Sequence, residues 1–208
     1  MDFVRPARRL RTLLLAPRSA WPEIAAESDS IGGLYRNWIL WLAAITPLAS
    51  LIGLLVFGLA LPFVGTLRLG AGTLLARMLA QYALTLLIVY LLMLIAAALA
   101  PGFGGRGDRV AALKVIAYAW APVWVVGVLN LIPALGPLTM LLTLVALGYG
   151  VWLLHLGAQA VQGVPQERAA GYAAVLVVIG IVLGLVAGGL AAALGGAGMM
   201  AAHGVAAP

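Results

Sequence analysis

The residues that could carry chemistry in this chain are few and far apart. There is no cysteine, and neither His155 nor His203 has a second metal ligand at a suitable spacing. None of the six acidic residues lies inside a long apolar stretch, where proton relays and cation sites need carboxylates. No serine has a plausible base beside it. The sequence therefore predicts no enzyme, no metal site and no cofactor, and it disfavours ion-coupled transport.

One glycine-rich segment, Pro101–Gly107, could be compared with a phosphate-binding loop. It lacks the lysine and the serine or threonine of that motif, and no strand precedes it. We expect a flexible turn on the cytoplasmic side.

The composition indicates what surrounds the chain. Of 208 residues, 64% are hydrophobic and 9% are charged, whereas a soluble domain has about 25% charged residues. A chain of this size cannot bury so much apolar surface inside itself. Most of it must face lipid, which excludes a soluble enzyme, a disordered tail and a coiled coil.

The long apolar stretches predict an all-α membrane protein, because helices satisfy their own backbone hydrogen bonds in lipid. About 20 residues cross a bilayer. Lys114 is the one charge within a predicted span and lies near its end, so we expect it to snorkel towards the headgroups. Five spans are predicted, at Trp38–Leu59, Met78–Ala100, Val110–Asn130, Leu138–Gln159 and Tyr172–Leu194. They divide the chain into an N-terminal segment (1–37), a five-helix domain (38–194) and a flexible tail (195–208).

The basic residues predict the orientation. Ten of the twelve fall in the N-terminal segment and the second and fourth loop regions, and only Arg68 and Arg77 fall on the other side. Since basic residues accumulate in cytoplasmic loops, the N-terminus is predicted inside and the C-terminus outside. This use of positive charge also explains the net charge of +6 without nucleic acid as a partner.

The N-terminal segment is predicted to begin with a basic amphipathic helix in the headgroup layer, ended by Pro17. A second short helix is predicted from Trp21-Pro22 towards Glu27. The apolar run Leu13–Ala16 is too short for a signal-peptide core, so we expect the N-terminus to be retained. The segment serves either as an interfacial collar around the bundle or as a docking surface for a soluble partner. The predicted lipid-headgroup contacts are Arg5, Arg8, Arg9 and Arg11.

Proline and glycine shape the predicted spans. Pro47 and Pro122 should kink the first and third helices, as static shape or as hinges. Glycines at a four-residue spacing allow close helix packing in lipid. Gly180, Gly184 and Gly188 of the fifth span have this spacing. They serve either packing within the chain, which we favour, or the interface of a homo-oligomer.

Several short motifs, read in order, resemble a known family. They are Trp21-Pro-Glu-Ile in the N-terminal segment, Lys114-Val-Ile-Ala-Tyr118-Ala-Trp-Ala-Pro122, Leu131-Ile-Pro133-Ala-Leu-Gly136-Pro137, and Trp152-Leu-Leu-His-Leu-Gly157. With the five-span plan, this order is similar to the bacterial branch of the Yip1 family.

The resemblance implies a multi-pass protein of the bacterial cytoplasmic membrane. Eukaryotic members interact with Rab-type GTPases, but only Gly33-Leu34-Tyr35 echoes their Asp-Leu-Tyr-Gly-Pro element. We therefore expect a non-enzymatic protein that organises membrane lipids or an unknown protein partner. The alternative is a small transporter, channel or lipid-translocating protein, as a monomer or as an oligomer.

The motif residues also have a physical interpretation. Asn130 can cap the third helix, and Pro137 suits the first turn of the fourth. The apolar turn between them should lock the two helices antiparallel. The Tyr118 hydroxyl is expected to form a hydrogen bond near the Pro122 kink.

Overall fold

A computed structural model gives the architecture of the chain. It describes the backbone of residues 4–61 and 65–202, and the side chains of residues 7–58 and 66–189. The side chain of Arg5 and the end of the predicted tail, residues 203–208, lie outside this part. The α-helices are α1 Val4–Leu15, α2 Pro17–Ala26, α3 Ile31–Leu34, α4 Leu40–Phe57, α5 Ala71–Leu99, α6 Arg109–Ala119, α7 Ala121–Val126, α8 Gly136–Gln162 and α9 Gln166–Ala202.

Five helical stretches of the described chain are long and apolar enough to cross a membrane, as predicted. Short π- and 3-10-helical turns join some of the α-helices within them. The all-α fold is therefore confirmed. The stretches are Ile31–Phe57, Ala71–Phe103, Arg109–Leu131, Pro133–Gln162 and Gln166–Gly189.

The first spanning stretch begins at Ile31 rather than at Trp38. Ser30 caps its start, because its side-chain oxygen accepts a hydrogen bond from the backbone N–H of Gly33 at 3.0 Å. The Tyr35 hydroxyl then donates to the Leu86 carbonyl on α5 at 3.0 Å. The polar residues before Trp38 are therefore part of the helix.

A small β-hairpin, which the sequence did not predict, connects α4 with α5. Strand β1 (Leu59–Leu61) pairs antiparallel with β2 (Gly65–Leu67). The turn into β1 uses Gly58 at a φ of 73°, which is a backbone conformation that glycine adopts readily.

The third spanning stretch lies at the centre of the bundle. In an apolar 18-residue segment of this stretch, 67% of the residues are buried, against 22–33% in the corresponding segments of the other four stretches. Every residue from 112 to 119 is buried. The helix is interrupted at Trp120, two residues before Pro122, because proline lacks the N–H that would continue the ladder. By contrast, α4 runs without interruption across Pro47.

Helices α1 and α2 form a short hairpin, which together with the three residues that follow α2 is called here the N-terminal hairpin (residues 4–29). The predicted start of the second helix at Trp21 is wrong: α2 begins at Pro17. A proline suits that first position because no intrahelical partner for its missing N–H is required there.

The last helix is longer than expected. Helix α9 continues to Ala202, so the predicted tail begins inside it. The sequence from 195 to 202 has no proline, and an apolar segment keeps its backbone hydrogen bonds by staying helical.

Candidate functional site

A buried lysine joins the bundle to the N-terminal hairpin. The side chain of Lys114 on α6 is 4% exposed, and its Nζ lies 3.0 Å from Oδ2 of Asp29. The same ammonium donates to the Ile24 carbonyl at 2.9 Å and to the Glu27 carbonyl. An ammonium has three N–H donors, so each donor of Lys114 has an acceptor.

Two of the acceptors are carbonyls at the end of α2, and the third is the Asp29 side chain just after it. The last carbonyls of a helix have no partner within it and carry the negative end of its dipole. The end of α2 therefore stabilises a buried cation. The expectation that Lys114 snorkels to the headgroups is wrong, because the hairpin covers the lysine and supplies the acceptors that water or lipid would otherwise provide.

Trp21 anchors the middle of α2 on α8. Its side chain is 1% exposed and lies against Gly157. A Cβ atom built on Gly157 would lie 2.6 Å from Cη2 of Trp21, which is closer than carbon atoms approach. Residue 157 must therefore be glycine for the indole to occupy this position.

Tyr118 of α6 completes an aromatic cluster. Its ring meets Trp21 edge-on, with centroids 6.3 Å apart, and packs on Trp38 at 4.6 Å. Trp38 Nε1 donates to the Ala117 carbonyl at 3.2 Å. The hydrogen bond expected from the Tyr118 hydroxyl near Pro122 is not formed within the described part of the chain. The residue acts through its ring, which faces the hairpin.

A second bundle side chain holds the end of α1. The Tyr149 hydroxyl of α8 donates to the Leu14 carbonyl at 2.9 Å, which is again a carbonyl in the last turn of a helix. The C-terminal ends of α1 and α2 are thus each bound by a side chain of the bundle.

An ion-pair cluster joins the two hairpin helices. Arg9 of α1 pairs with Glu27 and lies 3.6 Å from Glu23, and its side chain is 20% exposed. The predicted contact between Arg9 and lipid headgroups therefore does not fit its position. Arg8 and Arg11 are exposed.

A comparison with models of protein families identifies the family of the chain. The model described as the Yip1 domain matches residues 11–188. The chain belongs to the Yip1 family. No curated protein and no solved structure matches the chain. With its five apolar helical stretches, this Yip1-family protein is an integral multi-pass membrane protein. The matched range includes α2, Trp21 and Lys114, so most of the hairpin belongs to the family domain.

A second group of motif residues lies at the opposite end of α6–α8. Asn130 Nδ2 donates to the Gly127 carbonyl at 2.9 Å, and 3-10 turns over Gly127–Leu131 and Pro133–Leu135 lead into α8 at Gly136. These residues build a compact turn between α7 and α8, at the end of the third spanning stretch far from Lys114.

The three spaced glycines of α9 differ in their surroundings. A Cβ atom on Gly180 would lie 3.0 Å from the Trp120 ring, whereas Gly184 and Gly188 have nothing within 4 Å. Packing within the chain, which we favoured, accounts for Gly180 alone.

The Pro101–Gly107 loop, for which the sequence predicts a flexible turn, is held by hydrogen bonds to the bundle. The backbone N–H of Arg106 donates to the Gln162 carbonyl at 2.7 Å, and its Nη2 donates to the Val161 carbonyl at 2.9 Å. Nearby, the Tyr172 hydroxyl lies 2.8 Å from the Ala96 carbonyl and 2.9 Å from the Gln162 side chain. These contacts tie α5, α8 and α9 together.

Sequence reasoning missed Asp29 and Tyr149. Nothing near Asp29 marks it as the partner of a residue on α6. It also missed Asp108, whose carboxylate caps α6 by accepting from the Ala111 N–H at 2.7 Å. An aspartate directly before an apolar helix is a recognisable N-cap pattern.

The remaining candidate residue for chemistry is His155. Its Nε2 lies 2.9 Å from Gln159 Nε2, one turn along α8, so the Gln159 amide donates to it. Among the described residues, no three histidine, aspartate or glutamate side chains are grouped as a metal site.

Proposed function

We propose that this Yip1-family protein is non-enzymatic and organises membrane lipids or partner proteins through its N-terminal hairpin. One observation carries the proposal. Lys114 is a buried cation, and all three of its N–H donors point to acceptors at the end of this hairpin. Burying a charge is costly unless it is paired and hydrogen-bonded. Here the charge serves to fix a segment outside the five spanning stretches in one place.

The proposed location of the hairpin is the cytoplasmic face of a bacterial inner membrane. The uneven distribution of basic residues supports this orientation. With the N-terminus inside, the exposed side of α2 faces the cytoplasm, where soluble partners are present.

Transport is the alternative activity, and the break in the third helix at Trp120 is the feature that favours it. The cavity beside Trp120 has a volume of about 20 Å³ and is lined mainly by apolar side chains, such as Val123, Leu147, Leu154 and Val177. Tyr118, Asn130 and His155 do not line it. A cavity of this size and polarity suits packing better than the passage of a polar solute.

Self-association is proposed as a secondary property. Gly184 and Gly188 leave a smooth, exposed strip on α9, and such strips allow helices to approach closely in lipid. Protein cross-linking in lipid vesicles, with Gly184→Leu as the variant, distinguishes a homo-oligomer from a monomer.

The proposed function is tested by cross-linking proteins in native membranes and quantifying them by mass spectrometry. Ala25→Arg with Ala26→Arg changes the exposed side of α2 and removes none of the side chains of Trp21, Arg9 or Lys114. We expect the captured partners to fall several-fold, whereas Gln166→Arg, at the exposed start of α9, leaves them unchanged. An identical set of partners for both variants would contradict the proposal. Flux of labelled lipid or solute above that of empty vesicles would instead favour transport.

A further inference from the structure

The bend between α1 and α2, called here the elbow (residues 15–18), exposes a large apolar side chain. Leu15, the last residue of α1, is 73% exposed, whereas Leu13 beside it is fully buried. The exposed face of α1 that ends at Leu15 also carries Arg8 and Arg11, at helical spacing. Arg18, in the first turn of α2, is exposed as well. The elbow therefore presents one leucine among arginines.

The position of the elbow along α8 is fixed by Tyr149. Its hydroxyl holds the Leu14 carbonyl, and its ring meets Trp152 edge-on at 5.3 Å. Trp152 is 38% exposed. Tryptophan and tyrosine concentrate at the boundary between hydrocarbon and headgroups, so this pair marks such a boundary next to the elbow.

The exposed surface of α8 changes from apolar side chains to none of large size at Trp152, next to the elbow. Large exposed apolar side chains occur from Leu138 to Trp152, which is about 21 Å of helix at 1.5 Å per residue. From 153 to 162, α8 exposes no large apolar side chain. The elbow therefore lies at the edge of the lipid-facing part of α8.

We propose that the elbow is a binding site for anionic phospholipid, with Leu15 among the acyl chains and Arg11 and Arg18 on the headgroup phosphates. This inference rests on the proposed function and names the lipid class that the hairpin recognises. It differs from the arginine set expected from sequence, because Arg9 is engaged by Glu23 and Glu27 and Arg18 joins the site.

The charges of the hairpin favour lipid over a protein at this position. Its acidic residues Glu23, Glu27 and Asp29 lie towards or beyond the other end of α2, where they pair with Arg9 and Lys114. The elbow thus presents positive charge and one apolar side chain at the edge of the bilayer. Anionic lipid provides the complementary charge and the apolar phase together.

The absence of cysteine makes a direct test simple. The full chain carries a fluorophore at Leu15→Cys, or at Ala25→Cys as the control, because Ala25 is exposed near the other end of α2. Each protein is reconstituted in vesicles of phosphatidylcholine with 30% phosphatidylglycerol. We expect spin-labelled lipid to quench the label at 15 at least threefold more strongly than the label at 25, and aqueous iodide to show the reverse order. Equal quenching at both sites by both agents would overturn the site.

The role of the arginines is tested by comparing how strongly spin-labelled phosphatidylglycerol and spin-labelled phosphatidylcholine quench the label at residue 15. Arg11→Gln and Arg18→Gln should each weaken the relative binding of phosphatidylglycerol about fivefold, and 1 M salt should have a similar effect. Arg109→Gln, at the exposed start of α6, is the control. No lipid preference, or an equal loss in the control, would overturn the headgroup assignment. Either failure leaves the partner-capture experiment with the Ala25 and Ala26 substitutions unaffected, so the two proposals fail separately.

Discussion

Lys114 of α6 and Asp29, which follows α2, form an ion pair with Nζ and Oδ2 3.0 Å apart, and the lysine is almost completely buried. The pair joins the centre of the bundle to the segment before the first spanning stretch. A buried charge that loses its partner destabilises the fold strongly. The N-terminal hairpin and the bundle are therefore one folded unit.

Removing the carboxylate should expose this dependence. Asp29→Asn replaces the counter-charge of Lys114 with a neutral amide oxygen. We expect the free energy of unfolding to fall by about 1–3 kcal/mol, since Asp29 itself is partly exposed. Glu23→Gln is the matched control: its side chain is 65% exposed and 3.6 Å from Arg9, so the expected change is within about 0.5 kcal/mol. Unfolding in detergent measures the stability of both variants. Equal stability of the two variants would refute the role of Asp29.

The contact between Trp21 and Gly157 predicts opposite outcomes for two glycines of α8. Gly157→Ala places a methyl group into the indole and should destabilise by about 1–3 kcal/mol. Gly148→Ala meets nothing within 4 Å and should stabilise by up to about 1 kcal/mol, because alanine favours helix. Thermal unfolding of the two variants gives the comparison. A stable Gly157→Ala protein would mean that Trp21 does not pack there.

Two tyrosines separate a hydroxyl role from a ring role. Tyr149→Phe loses the hydrogen bond to the Leu14 carbonyl and should cost about 0.5–1.5 kcal/mol. Tyr118→Phe keeps its contacts with Trp21 and Trp38 and should leave stability unchanged. The same unfolding measurement checks both. If Tyr118→Phe proved the more damaging change, the cluster would depend on a Tyr118 hydrogen bond after all.

The five spans were predictable because hydrophobicity and charge act locally along the chain. Pro122 also marked the interruption of the third helix, because its missing N–H is a local property. The contacts that build the site are of another kind. Lys114 and Asp29 are far apart in sequence, and a lone lysine near the end of a span has the same local pattern whether it snorkels or is covered. Gly157 likewise gave no indication of which side chain it makes room for.

The expectation for the first helices failed for a related reason. A basic amphipathic helix has the same periodicity whether its apolar face lies on lipid or on protein. In the structure, Leu13, Trp21 and Ile24 are buried within the protein, so the hairpin packs on the bundle. Among the described side chains of residues 7–26, Leu15 at the elbow is the one large apolar side chain that is exposed.

Hydrogen exchange of the full chain in lipid nanodiscs tests the docking of the hairpin most directly. In the unmodified protein, the backbone amides of residues 17–26 should be protected as strongly as those of α6. Lys114→Met should raise their exchange at least tenfold, whereas Arg109→Met, at the exposed start of the same helix, should leave it unchanged. Rapid exchange of α2 in the unmodified protein, or unchanged protection in Lys114→Met, would contradict the account.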